Sequence, residues 1–259
     1  MKLLEYNTCK NIRAFSTYRG KGSDNYAEFN ITHYCGDTQE HVAKCRLELC
    51  KELGIEDNNL ILPRQTHGNK VICIDREFIE QSKEQQTELL YGIDAIITNL
   101  PQTCIGVSTA DCIPILLYDD TKGVIAAIHA GWRGTVANIA KECIHTMCNS
   151  YGCRATDIKA IIAPGISIDA FEVGDEVYEK FAEAEFPMEK ISKRYPAEQG
   201  EKWHIDLWEA NRLQMIDAGI KAENITVAGI CTYNNYNEFF SARRLGINSG
   251  RIFNGIMIL

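Results

Sequence analysis

Apolar residues fall along this chain in short runs separated by polar and glycine-bearing stretches, and in four places they take the i, i+3, i+4 spacing of a buried helix face. Asp37 followed by Glu40 predicts a capping-box-like start for a helix that runs through Leu47 and Leu49 and stops at Gly54. Val136, Ile139, Ala140, Cys143, Ile144, Met147 and Cys148 share one face of a second helix, which ends before Gly152. A third helix covers Val173 to Ala184, and a fourth starts at Asp206, with Glu209 three residues on, and ends at Gly219. Runs rich in β-branched or apolar residues predict strands at Ile12 to Thr17, Val71 to Ile74, Asp94 to Thr98, Thr103 to Ser108, Ile113 to Tyr118, Val124 to His129, Ile158 to Ala163, Ile225 to Ile230, Phe239 to Arg243 and Ile252 to Ile258. Several of these follow one another with no helix between them. Strict βαβ alternation is therefore a poor fit, and the pattern predicts an α+β or mixed α/β fold, a mixed sheet or pair of sheets flanked by helices.

The 259 residues are 45% hydrophobic and 24% charged, as in an ordinary globular protein with a real core. Size leaves one large or two smaller domains open, and no repeat, low-complexity tract or Pro/Ser-rich linker argues for two. A net charge of -8 makes the summed field repel polyanions, which argues against nucleic acid or an anionic membrane as partner but leaves room for a small anion. Lys2, Glu5, Asn7 and Lys10 break the apolar core that a signal peptide needs, and the stretches Cys104 to Tyr118 and Val124 to Ala130 are too short and interrupted to span a bilayer. A cytoplasmic location with no membrane segment is the expectation. The 11 cysteines are odd in number, scattered, and form no C-x-x-C pair, so reduced thiols are expected rather than a disulfide framework, zinc ribbon or thioredoxin-like site. Cys73, Cys104, Cys143 and Cys148 read as small core hydrophobes.

Three stretches place metal-capable side chains at the ends of apolar strands: Gln65-Thr-His-Gly68, Thr109-Ala-Asp-Cys112 and His129-Ala-Gly-Trp-Arg-Gly134. Catalytic zinc is typically held by three nitrogen or sulfur ligands with a fourth position open, and His67, Cys112 and His129 would make such a set. Zinc so held lowers the pKa of a bound water toward neutrality. Spacing alone does not select these three, since they match no compact metal motif and a lone histidine or cysteine beside an apolar strand is usually structural. His33, His41, His145 and His204 have no neighbouring ligand pattern and are expected on helix surfaces or loops. The turn from Ala130 into the helix at Val136, with Arg133, has the makings of an anion site, or its glycines merely permit a tight turn. Asp111 can relay a proton or orient the bound water, or serve only as a hydrogen-bonding turn residue. Arg243 and Arg244 can bind phosphate or stack on a base, or face solvent.

These stretches together resemble the YfiH-type family, also called laccase-domain or polyphenol-oxidase-like proteins, associated with purine nucleoside phosphorylase and adenosine deaminase activities. The likeness extends in order through Phe15-Ser-Thr17, Asn30, Gly36-Asp37, Arg46, the three stretches above, Asp94-Ala95, Ala163-Pro-Gly165, Phe171-Glu-Val-Gly174, Asp206-Leu207, Cys231-Thr232 and Phe239-Phe-Ser241 with Arg243. It implies one domain over residues 1–259 with an α/β/β/α layering, and one zinc ion on His67, Cys112 and His129. It also implies Cys112, Asp111 and His129 as catalytic residues and Asn30, Arg46, Arg133 and Arg243 as pocket residues. The expected substrates are purine nucleosides, among them adenosine, inosine, guanosine and methylthioadenosine, with phosphate; the expected state is a monomer. Tyr18-Arg-Gly-Lys-Gly22 in place of Arg-x-Gly-Gly, and Ala242 in a place usually larger or polar, depart from the family pattern. Three other readings remain beside this one. A copper polyphenol oxidase is disfavoured because six scattered histidines with no His-x-His pair house several coppers poorly. A metal-free cysteine hydrolase would use Cys112 as nucleophile and His129 as base. A non-catalytic binding protein would turn over nothing.

Overall fold

The computed structural model describes residues 2–198 and 200–259. Its strands are β1 (Leu3–Glu5), β2 (Ile12–Thr17), β3 (Leu60–Ile61), β4 (Val71–Ile74), β5 (Ala95–Thr98), β6 (Cys104–Thr109), β7 (Ile113–Asp119), β8 (Val124–Ala130), β9 (Lys159–Ile162), β10 (Glu172–Val173), β11 (Ser192–Pro196), β12 (Glu201–Ile205), β13 (Ile225–Val227) and β14 (Ile252–Ile258). Its helices are α1 (Gln39–Leu53), α2 (Arg76–Glu80), α3 (Lys83–Leu89), α4 (Trp132–Val136), α5 (Ile139–Tyr151), α6 (Asp175–Glu183), α7 (Met188–Ile191), α8 (Leu207–Asp217) and α9 (Ala242–Leu245).

A six-stranded mixed sheet, β13-β9-β7-β8-β5-β4, stacks on a five-stranded sheet, β1-β2-β14-β6-β3. Successive side chains on a strand point to opposite faces, so a strand buried on both faces needs an unbroken apolar run. β7 and β8 come close to that demand, every residue being buried and only Asp119 and His129 carrying charge-capable side chains near the ends. Ala95, Ile97, Ile115 and Leu117 face a core closed by α5, α6 and α8. Ile96, Leu116, Ile125 and Ala127 face the other way, onto Ala14, Ile105, Val107 and Ile256 of the second sheet. The outer face of that sheet packs Phe15, Cys104, Phe253 and Met257 against Cys45, Leu49 and Leu53 of α1. The layers therefore run helix, sheet, sheet, helix, as the family likeness implies. A small sheet, β10-β12-β11, lies apart from the two large ones. Among the described residues no helix is long and apolar enough to cross a membrane.

Several boundaries differ from the sequence expectation for local reasons. Thr38, not Asp37, caps α1, its hydroxyl accepting from the His41 amide, while Asp37 pairs with the His41 ring. Gly54 ends that helix in the left-handed region, at φ 71°, as its position predicts. The helix expected from Val136 begins instead at Ile139, because Asn138 at φ 61° breaks it from α4. Val173 pairs with Trp203 in β10 rather than opening α6, whose cap is Gly174. Phe239 to Arg243 is not a strand: Phe239 and Phe240 fill a satellite core with Ala27, Ala110 and Ile252, and Ser241 caps α9 by accepting from the Arg244 amide. His204 is neither on a loop nor on a helix surface; it lies buried in β12, with Nδ1 2.7 Å from the Ile168 carbonyl. β11 and β12 carry polar alternation with little apolar signal, which is why the sequence pattern misses them.

Candidate metal centre and cleft

Register brings the three expected ligands to one end of the six-stranded sheet. In the β7–β8 hairpin Pro114 lies opposite His129, so Cys112, two residues before Pro114, arrives beside the histidine. Ala95 of β5 pairs with Ile128 of β8, which puts Asp94 next to His129. Val71 of β4 pairs in parallel with Ala95, and the loop leading into β4 carries His67 back over the same edge. The donor atoms of His67, Cys112 and His129 lie within 4.8 Å of one another. The two imidazole rings meet edge to face, with centroids 4.8 Å apart.

A buried carboxylate organises this corner. Asp94 is fully buried and accepts from the amides of Thr66, His67 and Gly68 at 3.3, 3.0 and 2.8 Å. Its Oδ1 also lies 2.7 Å from His129 Nδ1, which leaves Nε2 of that ring for the centre. His67 adopts φ 64°, a conformation that costs a residue with a Cβ energy and that the Asp94 contacts hold in place. Gln65 anchors the same loop from the other side, pairing its side-chain amide with the Ser108 backbone at 2.8 Å in both directions. Burial works against charge on Asp94, yet His129 and the loop amides hold its carboxyl below the usual carboxylate range.

Two imidazoles and one thiolate are a donor set that suits a single transition-metal ion with a further position left open. Gly131 supports that reading. Its φ of -70° suits any residue, so space rather than backbone conformation demands the glycine: a Cβ there would lie 3.0 Å from both Cys112 Sγ and His67 Cδ2. Burial raises the Cys112 thiol, but His129 and then His67 overcome this and bring it down to about 6. Burial likewise opposes charge on His129, while the Cys112 thiolate and Asp94 raise it to about 9. In metal-stripped protein Cys112 is therefore a thiolate through neutral pH and is lost as a nucleophile as pH falls through about 6, whereas an unperturbed thiol titrates near 9. Residue-resolved iodoacetamide labelling is expected to show Cys112 reacting ahead of the other thiols at pH 7, and to show one equivalent of zinc protecting it.

The centre forms the floor of a cleft of about 570 Å³, within the range that takes a drug-sized ligand. Asp111, Ile166 and Phe171, and the α9 region through Ala242, Arg243 and Ile247, form its walls together with Tyr34 and Arg251. Arg243 donates two bonds of 3.2 Å to the Glu172 carbonyl and stacks 5.6 Å from the Phe171 ring centroid. Arg251 folds onto its own loop, donating to the carbonyls of Ile247, Ser249 and Gly250. The carboxylate of Asp111 accepts from Thr232 and from the Arg243 amide.

The other expected pocket residues lie elsewhere. Arg46 is on α1, paired with Asp57 at 2.9 Å and bonded to the Leu60 carbonyl, and faces a different groove beside His33 and Gln86. Asn30 is fully buried and braces the loop before α1, donating to the Thr32 carbonyl and to Asp37. Arg133 is exposed on α4 and stacks 4.2 Å from the Trp132 ring centroid, outside the cleft lining. Sequence patterning singles out neither Asp94 as an organiser nor Tyr34, Phe171 and Arg251 as cleft residues. For Asp94 the available signal is a carboxylate placed directly before the apolar run Ala95-Ile-Ile97.

A mixed α/β fold of stacked sheets with a His-Cys-His donor set at the floor of a cleft defines a candidate metal-dependent protein of the laccase-domain class. The chain belongs to the multi-copper polyphenol oxidoreductase laccase family, whose model matches residues 13–259. It is 47% identical over 250 residues to a purine nucleoside phosphorylase of Bacteroides thetaiotaomicron, covering 96% of this chain and 92% of that protein. It is 45% identical over 247 residues to adenosine deaminase RL5 from an unknown prokaryotic organism, covering 95% and 93% of the two chains. The crystal structure of the YfiH protein of Bacillus licheniformis superimposes with a TM-score of 0.85 at 26% identity, covering 96% of this chain and 93% of that one.

Proposed function

We propose that this cleft processes purine nucleosides on a single zinc ion held by His67, Cys112 and His129, by phosphorolysis of adenosine, inosine, guanosine and methylthioadenosine and by deamination of adenosine. The observation that carries the reading is the convergence of the three donors on the floor of the cleft. The names of the two relatives above, a phosphorylase and a deaminase, support the substrate class. A bound zinc ion supplies Lewis acidity at neutral pH. The chain supplies the rest: Asp94 fixes the His129 tautomer and the His67 loop, and Arg243, stacked on Phe171 at the cleft wall, is the cation toward phosphate. Arg46 and Arg133 lie outside the cleft lining, which leaves Arg243, with Arg251, to meet the anion. A cytoplasmic setting is part of this proposal, in keeping with cysteines that are odd in number and form no C-x-x-C pair.

A multi-copper centre has little support from the donor geometry, since one group of three or more His, Cys, Asp or Glu donors converges among the described residues. The cysteine-hydrolase reading shares the Cys112–His129 pair but predicts turnover that survives a chelator. The deciding assay incubates the zinc-loaded protein with adenosine, with and without phosphate. Inosine is expected in both, adenine and ribose 1-phosphate with phosphate alone, and neither after chelation. Full turnover in the chelated protein, or no product from any purine nucleoside, would overturn the proposal.

A further inference from the structure

Asp111 stands beside a metal ligand, which invites a proton-transfer role, but its bonds run to the cleft walls. Oδ1 accepts from the Thr232 hydroxyl at 2.7 Å, Oδ2 from the Arg243 amide at 2.7 Å, and its backbone carbonyl from the Ile166 amide at 2.8 Å. These partners come from three separate segments: the connection from β9 to β10, the connection from β13 to α9, and the first turn of α9. Ile166 and Arg243 line the cleft, and Thr232 is fully buried, its amide bonded in turn to the Gly165 carbonyl. The residue holds φ 90°, a conformation that L residues other than Asn and Asp rarely adopt and that persists where surrounding bonds over-determine it. Short bonds from fixed partners to both carboxylate oxygens are what a structural clasp requires, whereas a proton carrier needs an oxygen directed at the reacting group.

We infer that Asp111 is a positioning residue: it clasps α9 and the Ile166 segment to the strand end that carries Cys112, and so fixes Arg243 relative to the metal ligands. The inference rests on the proposed function for the role of Arg243 toward phosphate, and on the observed bonds alone for the clasp. Chemistry gives a clean separation of the two roles. An asparagine at 111 keeps the clasp, because its oxygen accepts from the Arg243 amide and its NH₂ donates to Thr232, whose hydroxyl turns from donor to acceptor. It also tolerates the positive φ, but it carries no titratable proton. A glycine at 111 accepts φ 90° without strain and removes both acceptors.

The test compares wild type, Asp111→Asn and Asp111→Gly as zinc-loaded full-length proteins, by amide hydrogen exchange over residues 241–246 and by steady-state phosphorolysis of inosine at varied phosphate and pH. Asp111→Asn is expected to keep wild-type protection of the α9 amides, an unchanged pH profile, and a kcat within about threefold of wild type, against the roughly 10²-fold or greater loss that follows removal of a true acid or base. Asp111→Gly is expected to exchange the α9 amides at least about tenfold faster and to raise the phosphate KM about tenfold or more, with a smaller fall in kcat. A hundredfold loss of kcat in Asp111→Asn with α9 still protected, or wild-type protection in Asp111→Gly, would overturn the inference. Should Asp111→Gly not fold, the amide variant decides on its own. Should wild type turn over no nucleoside, the proposed function falls while hydrogen exchange still judges the clasp.

Discussion

Replacing Cys112 with alanine is expected to leave a folded protein that retains no stoichiometric metal and turns over purine nucleosides at least about a thousandfold more slowly. Cys112 is partly exposed at the cleft floor, so truncation creates no large buried cavity, and a stability loss of about 1 kcal/mol or less is expected. The functional loss has a different origin. The thiolate is the one anionic donor of the three candidate donors. Without it two imidazoles remain, one of them held at φ 64°, and a two-ligand site binds zinc weakly. Elemental analysis of the purified variant and a product assay on inosine check the two halves of this expectation. Wild-type turnover by the variant would remove Cys112 from the mechanism.

The second large effect is expected from Asp94→Asn, at a residue that touches no substrate. Asp94 offers acceptors to four donors: the His129 ring and the amides of Thr66, His67 and Gly68. An asparagine has one acceptor oxygen, so its NH₂ group must confront amide donors in a fully buried place. The cost is about 3 kcal/mol, or roughly 8 °C in Tm for a chain of this size. The His129 ring also loses the partner that sets its tautomer, and metal affinity is expected to fall by about 10- to 100-fold. A chelator-competition titration and a thermal melt on the same preparation check both numbers. The sign of the pH dependence follows from the same residue. Because the folded-state carboxyl lies below its ordinary value of 3.8, its contribution is fully present above that value and is lost as pH falls through the lower folded-state value. The variant is accordingly expected to show a shallower loss of stability below pH 4 than wild type.

Much of this architecture is legible in the chain because its central sheet is buried on both faces. The apolar runs of β7 and β8, broken only near their ends by Asp119 and His129, and those of β2, β4 and β14 predict strand starts that coincide with the observed ones. The small sheet escapes the same reasoning because Ser192–Pro196 and Glu201–Ile205 alternate lysine, arginine and aromatic residues and bury little. Phe239 and Phe240 mislead for the opposite reason: adjacent buried aromatics imitate a strand, while the capping serine that follows them turns the chain into α9.

The site divides along similar lines. The three candidate donors, carried at strand ends, are recognisable from the motifs, and hairpin register delivers Cys112 beside His129. What local sequence does not show is which side chains reach the cleft. Arg46 pairs with Asp57 and the Leu60 carbonyl at another groove, Asn30 is buried beneath the Thr32 carbonyl, Asp37 and the Arg251 amide, and Arg133 stacks on its neighbour Trp132. The fold sets these placements, so a charged or amide side chain that looks available in the sequence lies outside the cleft lining. The organising role of Asp94 is hidden for the same reason, since three of its partners come from a loop more than 25 residues earlier in the chain.

The most direct measurement is X-ray absorption at the zinc and copper edges, with metal stoichiometry, on wild-type protein purified without added metal. One zinc per chain, with one sulfur near 2.3 Å and two imidazole nitrogens near 2.0–2.1 Å, is the expected result. Several coppers per chain, or a zinc shell without sulfur, would contradict the assignment of His67, Cys112 and His129 to a single cation.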